Sequence, residues 1–407
     1  MEKQIRKSVR TALIFLGIGL LLGTLIVFAA TPSSTFYISS GIYPGAPSYT
    51  VWREGSGYFA KDQNGQLKYS GSNASLVTQN CINSFTSWGG EIFFASGSFI
   101  FDTSLTMDNT IYPTHFRGEG KPSRLQYTGT DYFLKRTGST GLCQLHTISD
   151  LEIRLGDDAQ GAIHLNTGTH YWNIHDIEIW GSATPSLTQY GIVLNKTTTG
   201  VYWNSIAHCR FYQLGESIRI EGGANANHIV DPIIRTPFSI GINILSGSDT
   251  LVLGGRIEGE LASTGVYVNS AFNQFIGLDF ELTNASTVGY NFSVNSANNR
   301  IFGGRINVYG TAIVNDGTNN RMDESTGWTT VRSGTAEASN DDWVSYGATF
   351  VTAPDTVILT VQESDARYIA QVKSKNTTHF QLYLYDETAG AAEDTDKTVS
   401  WFAELQP

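Results

Sequence analysis

Residues Trp172–Ile179 read WNIHDIEI, and the phrase returns in altered form along the chain. Octets starting at His146, Trp172, Asn204, Asn227, Thr250, Asn273 and Asn299 read HTISDLEI, WNIHDIEI, NSIAHCRF, NHIVDPII, TLVLGGRI, NQFIGLDF and NRIFGGRI, with starts 26, 32, 23, 23, 23 and 26 residues apart. The third column (Ile148, Ile174, Ile206, Ile229, Val252, Phe275, Ile301) and the eighth (Ile153, Ile179, Phe211, Ile234, Ile257, Phe280, Ile306) are apolar in every row. A second short strand comes after each octet, as in AIHLN, GIVLN, SIRIE and GVYVN, often ending in Asn: Asn166, Asn195, Asn269, Asn295 and Asn315. Units this short cannot make four-stranded propeller blades, and they lack the leucine signature of a horseshoe repeat. The pattern predicts a parallel β-solenoid, each row one coil stacked about 4.8 Å above the last. The constant columns are then core ladders, and the Asn column is expected to be a turn ladder.

Composition agrees with turn-rich β structure: 42 Gly, 21 Phe and 19 Tyr among 407 residues, with only 15% charged. A net charge of −11 argues against a nucleic-acid partner, which would need a basic face. Cys81, Cys143 and Cys209 are too few for a disulfide framework and have no metal-type spacing, so buried free thiols are expected. Lys3, Arg6, Lys7 and Arg10 precede an uncharged apolar run, Thr11–Ala30, long enough to cross a bilayer. The basic flank keeps the N-terminus inside and puts the chain beyond Thr31 outside. An uncleaved membrane anchor and a cleaved secretory signal both fit; the body is membrane-anchored and extracellular in the first case, secreted in the second. Five Asn-x-Ser/Thr triplets (Asn73, Asn195, Asn284, Asn291, Asn376) suit an exposed, glycosylated surface.

The expected organisation is an anchor or signal segment over residues 1–31, an extracellular linker with leading strands over 32–72, coils with a capping helix over 73–323, and a C-terminal module over 327–407. The cap is read from Val77, Cys81, Ile82, Phe85 and Trp88, which fall on one helical face after Asn73, a suitable N-cap. After Arg321 the coil pattern stops. Segments such as TVILTVQ, RYIAQVKSK, HFQLYLYDE and TVSWFAEL alternate between Asn, Asp, Gly and Thr turns and predict a small antiparallel β-sandwich, with sugar binding, capping or trimerisation as its candidate roles.

The order helix, Gly-Gly, short strand, Gly turn, aromatic strand, TSLTM and HFRGEG closely resembles the opening of the pectate lyase superfamily β-helix domain. Gly89, Gly90, Ile92, Phe93, Gly97, Phe99, Leu105, Arg117, Gly118 and Gly120 carry the match, while Ala95-Ser96 stand where that pattern has a proline. The resemblance covers about Tyr49 to Asp323 and implies a single-stranded right-handed parallel β-helix. It also implies a long sugar chain lying along one face. It does not choose a chemistry, since the superfamily holds hydrolases, lyases, phage tailspikes and proteins with no known reaction.

Candidate chemistry comes from the outward columns. The seventh octet position and the residue after the octet give Glu152/Arg154, Glu178/Trp180, Arg210/Tyr212, Ile233/Arg235, Arg256/Glu258, Asp279/Glu281 and Arg305/Asn307, a charged and aromatic stripe. Glu152 and Glu178 should sit about 5 Å apart on adjacent coils, where like charges divide a pair into an acid and a base. Asp157-Asp158 come just after the first octet and could lean over them. Trp180 and Tyr212 could stack on sugar rings, and Arg210 could hold a carboxylate. Arg235 is a further substrate-binding candidate. Arg256, Glu258, Asp279, Glu281 and Arg305 alternate in sign and could serve a lyase, holding an acidic sugar, carboxylate-bound Ca²⁺ and an Arg base, or could equally neutralise one another. Asp150, Asp176, His208 and Asp231 form a column better explained as turn residues than as a cation site. Among the polygalacturonase motifs only Gly156-Asp157-Asp158 has a counterpart, and no zinc pattern or nucleophile elbow occurs. The expectation is a cell-surface or secreted β-helix protein that binds a polysaccharide or surface glycan and could cleave it as a glycoside hydrolase or polysaccharide lyase. The alternative is a non-catalytic adhesin or a structural fibre protein, the latter expected to be a homotrimer.

Overall fold

In the computed structural model, residues 47–407 are described except 86–87, 108–112, 137–141, 183–185, 199, 262, 324–330, 346–353, 355, 363–367, 377, 387–390, 393–396 and 405–407. The apolar run Thr11–Ala30 lies outside the described residues, among which no helix is long and apolar enough to cross a membrane.

A meander of antiparallel strands (Tyr49–Glu54, Gly57–Asp62, Leu67–Gly71) opens the described chain, and its first strand pairs in parallel with Gly90–Phe94 of the first coil. The helix Ala74–Asn83 comes next. The Asn73 side chain accepts from Leu76 N–H at its start, and Ala74, Val77, Cys81 and Ile82 are buried in the coil core, so it closes the end of the solenoid. The helix ends earlier than the apolar spacing suggests: Ser84 is its C-cap, and Trp88 stands 83% exposed beyond it.

Each octet is bent. Its fifth residue lies in the left-handed region: Asp150, Asp176, His208, Asp231, then Gly254, Gly277 and Gly303, with φ between 48° and 68°. Glycine takes this conformation without the Cβ penalty, and Asp tolerates it, which explains that column's composition and the turn role expected of its carboxylates. The bend makes two short strands from one octet, for example Asn173–His175 and Glu178–Trp180. Strands before the bend form the first face, those after it the second, and a nine-stranded parallel sheet from Leu105–Met107 to Thr311–Asn315 forms the third. Every row pairs in parallel register with its neighbours, Ile174 against Ile206 and Ile179 against Phe211, and both predicted core ladders are buried. All three cysteines are buried, and none is in a disulfide.

A second left-handed column stands immediately before each octet: Leu145, Tyr171, Trp203, Ala226, Asp249, Phe272, Asn298 and Asn319, with φ between 51° and 62°. The chain turns sharply there, and the next backbone N–H needs an acceptor. Where the first octet position of the succeeding row is Asn, its side chain supplies it. Asn227 Oδ1 accepts from Asn204 N–H at 3.1 Å, Asn299 Oδ1 from Asn273 N–H at 2.8 Å, and Asn320 Oδ1 from Asn299 N–H at 3.0 Å. The side-chain amides continue the ladder, Asn273 Nδ2 to Asn299 Oδ1 at 3.0 Å and Asn299 Nδ2 to Asn320 Oδ1 at 2.9 Å. The expected Asn column is a looser one; Asn295 Nδ2 donates to Asn269 Oδ1, but Asn195 Nδ2 donates to Glu221.

The C-terminal module is two antiparallel sheets, one of Val331–Ala338, Lys397–Glu404 and Thr356–Val361, the other of Trp343–Ser345, His379–Asp386, Tyr368–Lys375 and Ala391–Ala392. Both contribute to one apolar cluster including Phe380, Leu382, Val399 and Trp401, separate from the coil core.

The third face carries a polar knot. Arg219 Nε donates to Glu221 Oε2 at 2.7 Å and its Nη1 to Glu216 Oε1 at 3.2 Å, while Asn243 Nδ2 donates to Glu216 Oε2 at 2.9 Å. Burial pushes the Glu216 carboxyl up, outweighing Asn243 and Arg219, which pull it down.

Two outcomes are expected. Asn299→Ala removes the acceptor for a buried N–H and should lower stability by about 2–3 kcal/mol in chemical denaturation, whereas a loss under about 0.5 kcal/mol would show that the ladder is decorative. For Glu216, a raised folded-state pKa means that stability present below the unfolded value is lost as pH rises through the folded value. The melting temperature of Glu216→Gln relative to wild type should therefore increase as pH climbs from about 4 to about 7, and a difference flat with pH contradicts this.

Candidate functional site

The outward stripe exists in the predicted register. Glu152 lies opposite Glu178, Arg154 opposite Trp180, Trp180 opposite Tyr212, Tyr212 opposite Arg235, and Glu258 opposite Glu281. Its chemistry differs from the expectation. Glu152 is fully buried. Its Oε1 accepts from Arg124 Nε and from Arg154 Nε, the latter at 2.6 Å, and its Oε2 is enclosed without a partner. Glu178 keeps 17% side-chain exposure, with Lys121 Nζ at 3.5 Å, Arg210 Nη1 at 3.7 Å and Trp180 Nε1 donating at 3.3 Å. The two carboxylates are thus compensated by separate cations, and Glu152 is shut away from any substrate. Asp157 and Asp158 are exposed in the turn after Leu155, off the strand that carries Glu152.

Trp180 and Tyr212 are stacked on one another, with centroids 4.0 Å apart and planes 10° from parallel. Column order places Arg154 on the other side of Trp180, 5.2 Å from its centroid, and Arg235 on the other side of Tyr212 at 6.0 Å. Both ring faces of both residues are therefore occupied by neighbours in the same column, a cation–π and π ladder that leaves ring edges for a ligand. Sequence spacing identified the column but could not reveal this, because consecutive rows are close enough to consume each other's faces.

The second cluster neutralises itself. Arg235 pairs with Glu258, Arg256 Nη1 lies 3.6 Å from Glu258 Oε2, and Arg305 Nη2 lies 3.9 Å from Glu281 Oε2 while its backbone N–H donates to Asp279 Oδ1 at 2.9 Å. A hollow of about 350 Å³ beside it is lined by Arg235, Glu258, Glu260 and Glu281, among others. Among the described residues no group of three or more His, Cys, Asp or Glu is placed to hold a metal ion.

Aromatic side chains that reach solvent stand at the left-handed corner between the third and first faces. Tyr171 is 45% and Trp203 49% exposed, stacked with centroids 5.2 Å apart and planes 13° from parallel. One outer face of this pair is open by position in the column, since Ala226 succeeds Trp203 in the next row. His170 and Tyr202 flank the pair, with Lys196 Nζ 5.8 Å from the Tyr202 centroid. Bulky residues pay a steric cost in this backbone conformation, and such strain accumulates at functional sites. The sequence hid this corner behind a misleading echo. The letters YWN recur at Tyr171–Asn173 and Tyr202–Asn204, but the rows align one residue apart, His170 bridging Tyr202. Trp172 is consequently buried at the Asn-ladder position, donating its indole N–H to Cys143 O at 3.0 Å, while Trp203 projects outward.

Neither a family model nor a curated protein sequence matches the chain. Solved structures similar to it include ORF18 of Geobacillus virus E2, with 13% identity, TM-score 0.44, and 86% of this chain aligned to 85% of that one. The Azotobacter vinelandii mannuronan C-5 epimerase AlgE6 A-module aligns over 62% of this chain and 92% of its own, at 11% identity and TM-score 0.36. PfbA, a surface adhesin of Streptococcus pneumoniae, aligns over 76% of this chain and 95% of its own, at 8% identity and TM-score 0.36. The parallel β-solenoid itself stands on the strand register described above.

Proposed function

We propose that the chain is a glycan-binding β-helix protein that holds an extended saccharide along the corner between its third and first faces. The observation that carries this reading is the stacked, half-exposed Tyr171–Trp203 pair held out from left-handed backbone positions. An indole face offers a sugar ring the flat apolar surface that its C–H face needs, and neighbouring His170, Tyr202 and Lys196 supply polar contacts. Rows about 4.8 Å apart give a repeat along which a polymer can make successive contacts. The basic flank and apolar run at the N-terminus favour a location outside a membrane, where such polymers are met. The surface-adhesin reading agrees with a stripe whose charges are already balanced.

Cleavage by the Glu152–Glu178 pair is the second reading, supported by the partial exposure of Glu178 beside Lys121. It is the weaker one, because the partner carboxylate is enclosed and bound by two guanidinium groups.

On a glycan array followed by calorimetry with the full-length protein, Trp203→Ala should weaken binding about tenfold, the value of one stacking contact. Trp180→Ala should change affinity less than about threefold, since its faces are already occupied; the reverse ranking would move the site to the stripe. Glu178→Gln should leave binding intact, and release of shorter saccharides by wild type but not by Glu178→Gln would establish the second reading instead.

A further inference from the structure

The same corner changes character in the last rows. There Asp249, Phe272, Asn298 and Asn319 form one wall, and Gln274, Arg300 and Arg321 lie in register on the adjoining first-face strands. Together they line a groove of about 680 Å³. Arg300 and Arg321 are directly opposite one another on neighbouring strands, about 4.8 Å apart in backbone, where like charges repel. On the second face, Arg124, Arg154, Arg210, Arg235, Arg256 and Arg305 each meet a carboxylate. Arg300 and Arg321 meet none among the described residues, and both are exposed. The acidic group in the groove, Asp249, receives a hydrogen bond from Ser248 Oγ and lies in the row two before Arg300 and three before Arg321. Three row spacings put it about 14 Å from the row of Arg321, so it does not compensate that charge.

We infer that this groove binds a carboxylate-bearing segment of the saccharide, with Arg300 and Arg321 forking the carboxylate and Phe272 under a sugar ring. The inference rests on the glycan-binding reading and adds its charge class and a second contact region. Planar guanidinium groups match the two oxygens of a carboxylate, and two of them side by side relieve their mutual repulsion when an anion sits between. Phe272 is 54% exposed at a left-handed φ of 62°, which holds a bulky ring into the groove at a conformational cost that Gly would avoid. The amides of Gln274, Asn298 and Asn319 can both donate and accept, as ring hydroxyls require. A net charge of −11 makes this local, uncompensated pair of cations an exception on the surface rather than a sample of it.

The test is an array of uronate-bearing, sialylated, sulfated and neutral glycans probed with the full-length protein, each carboxylated hit being repeated after carboxyl reduction. Wild type should retain carboxylated glycans and lose at least about tenfold in affinity on carboxyl reduction. Arg300→Gln and Arg321→Gln should each lose about tenfold toward the carboxylated form only, with Arg300→Lys recovering part of the loss and circular dichroism unchanged. Selection of neutral or only sulfated glycans overturns the carboxylate assignment while leaving glycan binding in place. Carboxylate-dependent binding that survives both arginine substitutions overturns the location. Retention of no glycan at all removes the glycan-binding reading and this inference together.

Discussion

Each row of a parallel coil stack hands its backbone N–H and C=O groups to the rows above and below, because a parallel strand has no partner within its own row. That requirement for register governs the remainder of this molecule. It forces each side-chain position into a column, so one unsuitable residue is judged against its neighbours in the rows on either side. Inside, the outcome is ladders of Ile, Val and Phe; at the sharp corner, a ladder of Asn side chains takes the N–H groups that the turning chain would otherwise strand. At one end the strand Tyr49–Glu54 pairs with Gly90–Phe94 of the first coil, while the helix Ala74–Asn83 covers the apolar core there.

The columns are legible because apolar constancy at two octet positions needs only sequence spacing to be seen. Ile148 through Ile301 and Ile153 through Ile306 fall where alternation puts them, and the outward partners Glu152 with Glu178 and Trp180 with Tyr212 come from the same register. The two left-handed columns are less visible. Asp150, Asp176 and Asp231 hint at a bend, but Leu145, Tyr171 and Trp203 are residues that local preference would never place there; the stack imposes the conformation on them. The end of the helix is obscured for a related reason, since Trp88 continues an apolar spacing that the chain has already abandoned.

Site chemistry is the hardest part to read, since it depends on what each side chain finds in the adjacent row. Glu152 faces outward by alternation and is nevertheless buried, because Arg124 and Arg154 close over it from the row on one side and from its own strand. Trp180 and Tyr212 look like a platform in the sequence and are filled on both faces in the fold. Conversely, Arg300 and Arg321 attract no notice as letters. They become notable only when the ion pairs of the second face show how consistently the other cations are matched. Balanced charge on one face and unbalanced charge on another is a property of the arrangement, with no signature in composition.

Row length varies between 21 and 32 residues, yet the strands of successive rows remain in register. The surplus is carried between the strands: nine residues separate Trp180 from Tyr190 in the longest row, and three separate Tyr212 from Glu216 in the next. The stack therefore counts coils and ignores their circumference. Asn227–Asp249 is one whole 23-residue period, bounded at both ends by the same column positions. Gene segments of that length could be duplicated or lost with every column preserved, so the reach of this molecule can lengthen or shorten in whole steps while its cross-section is inherited unchanged.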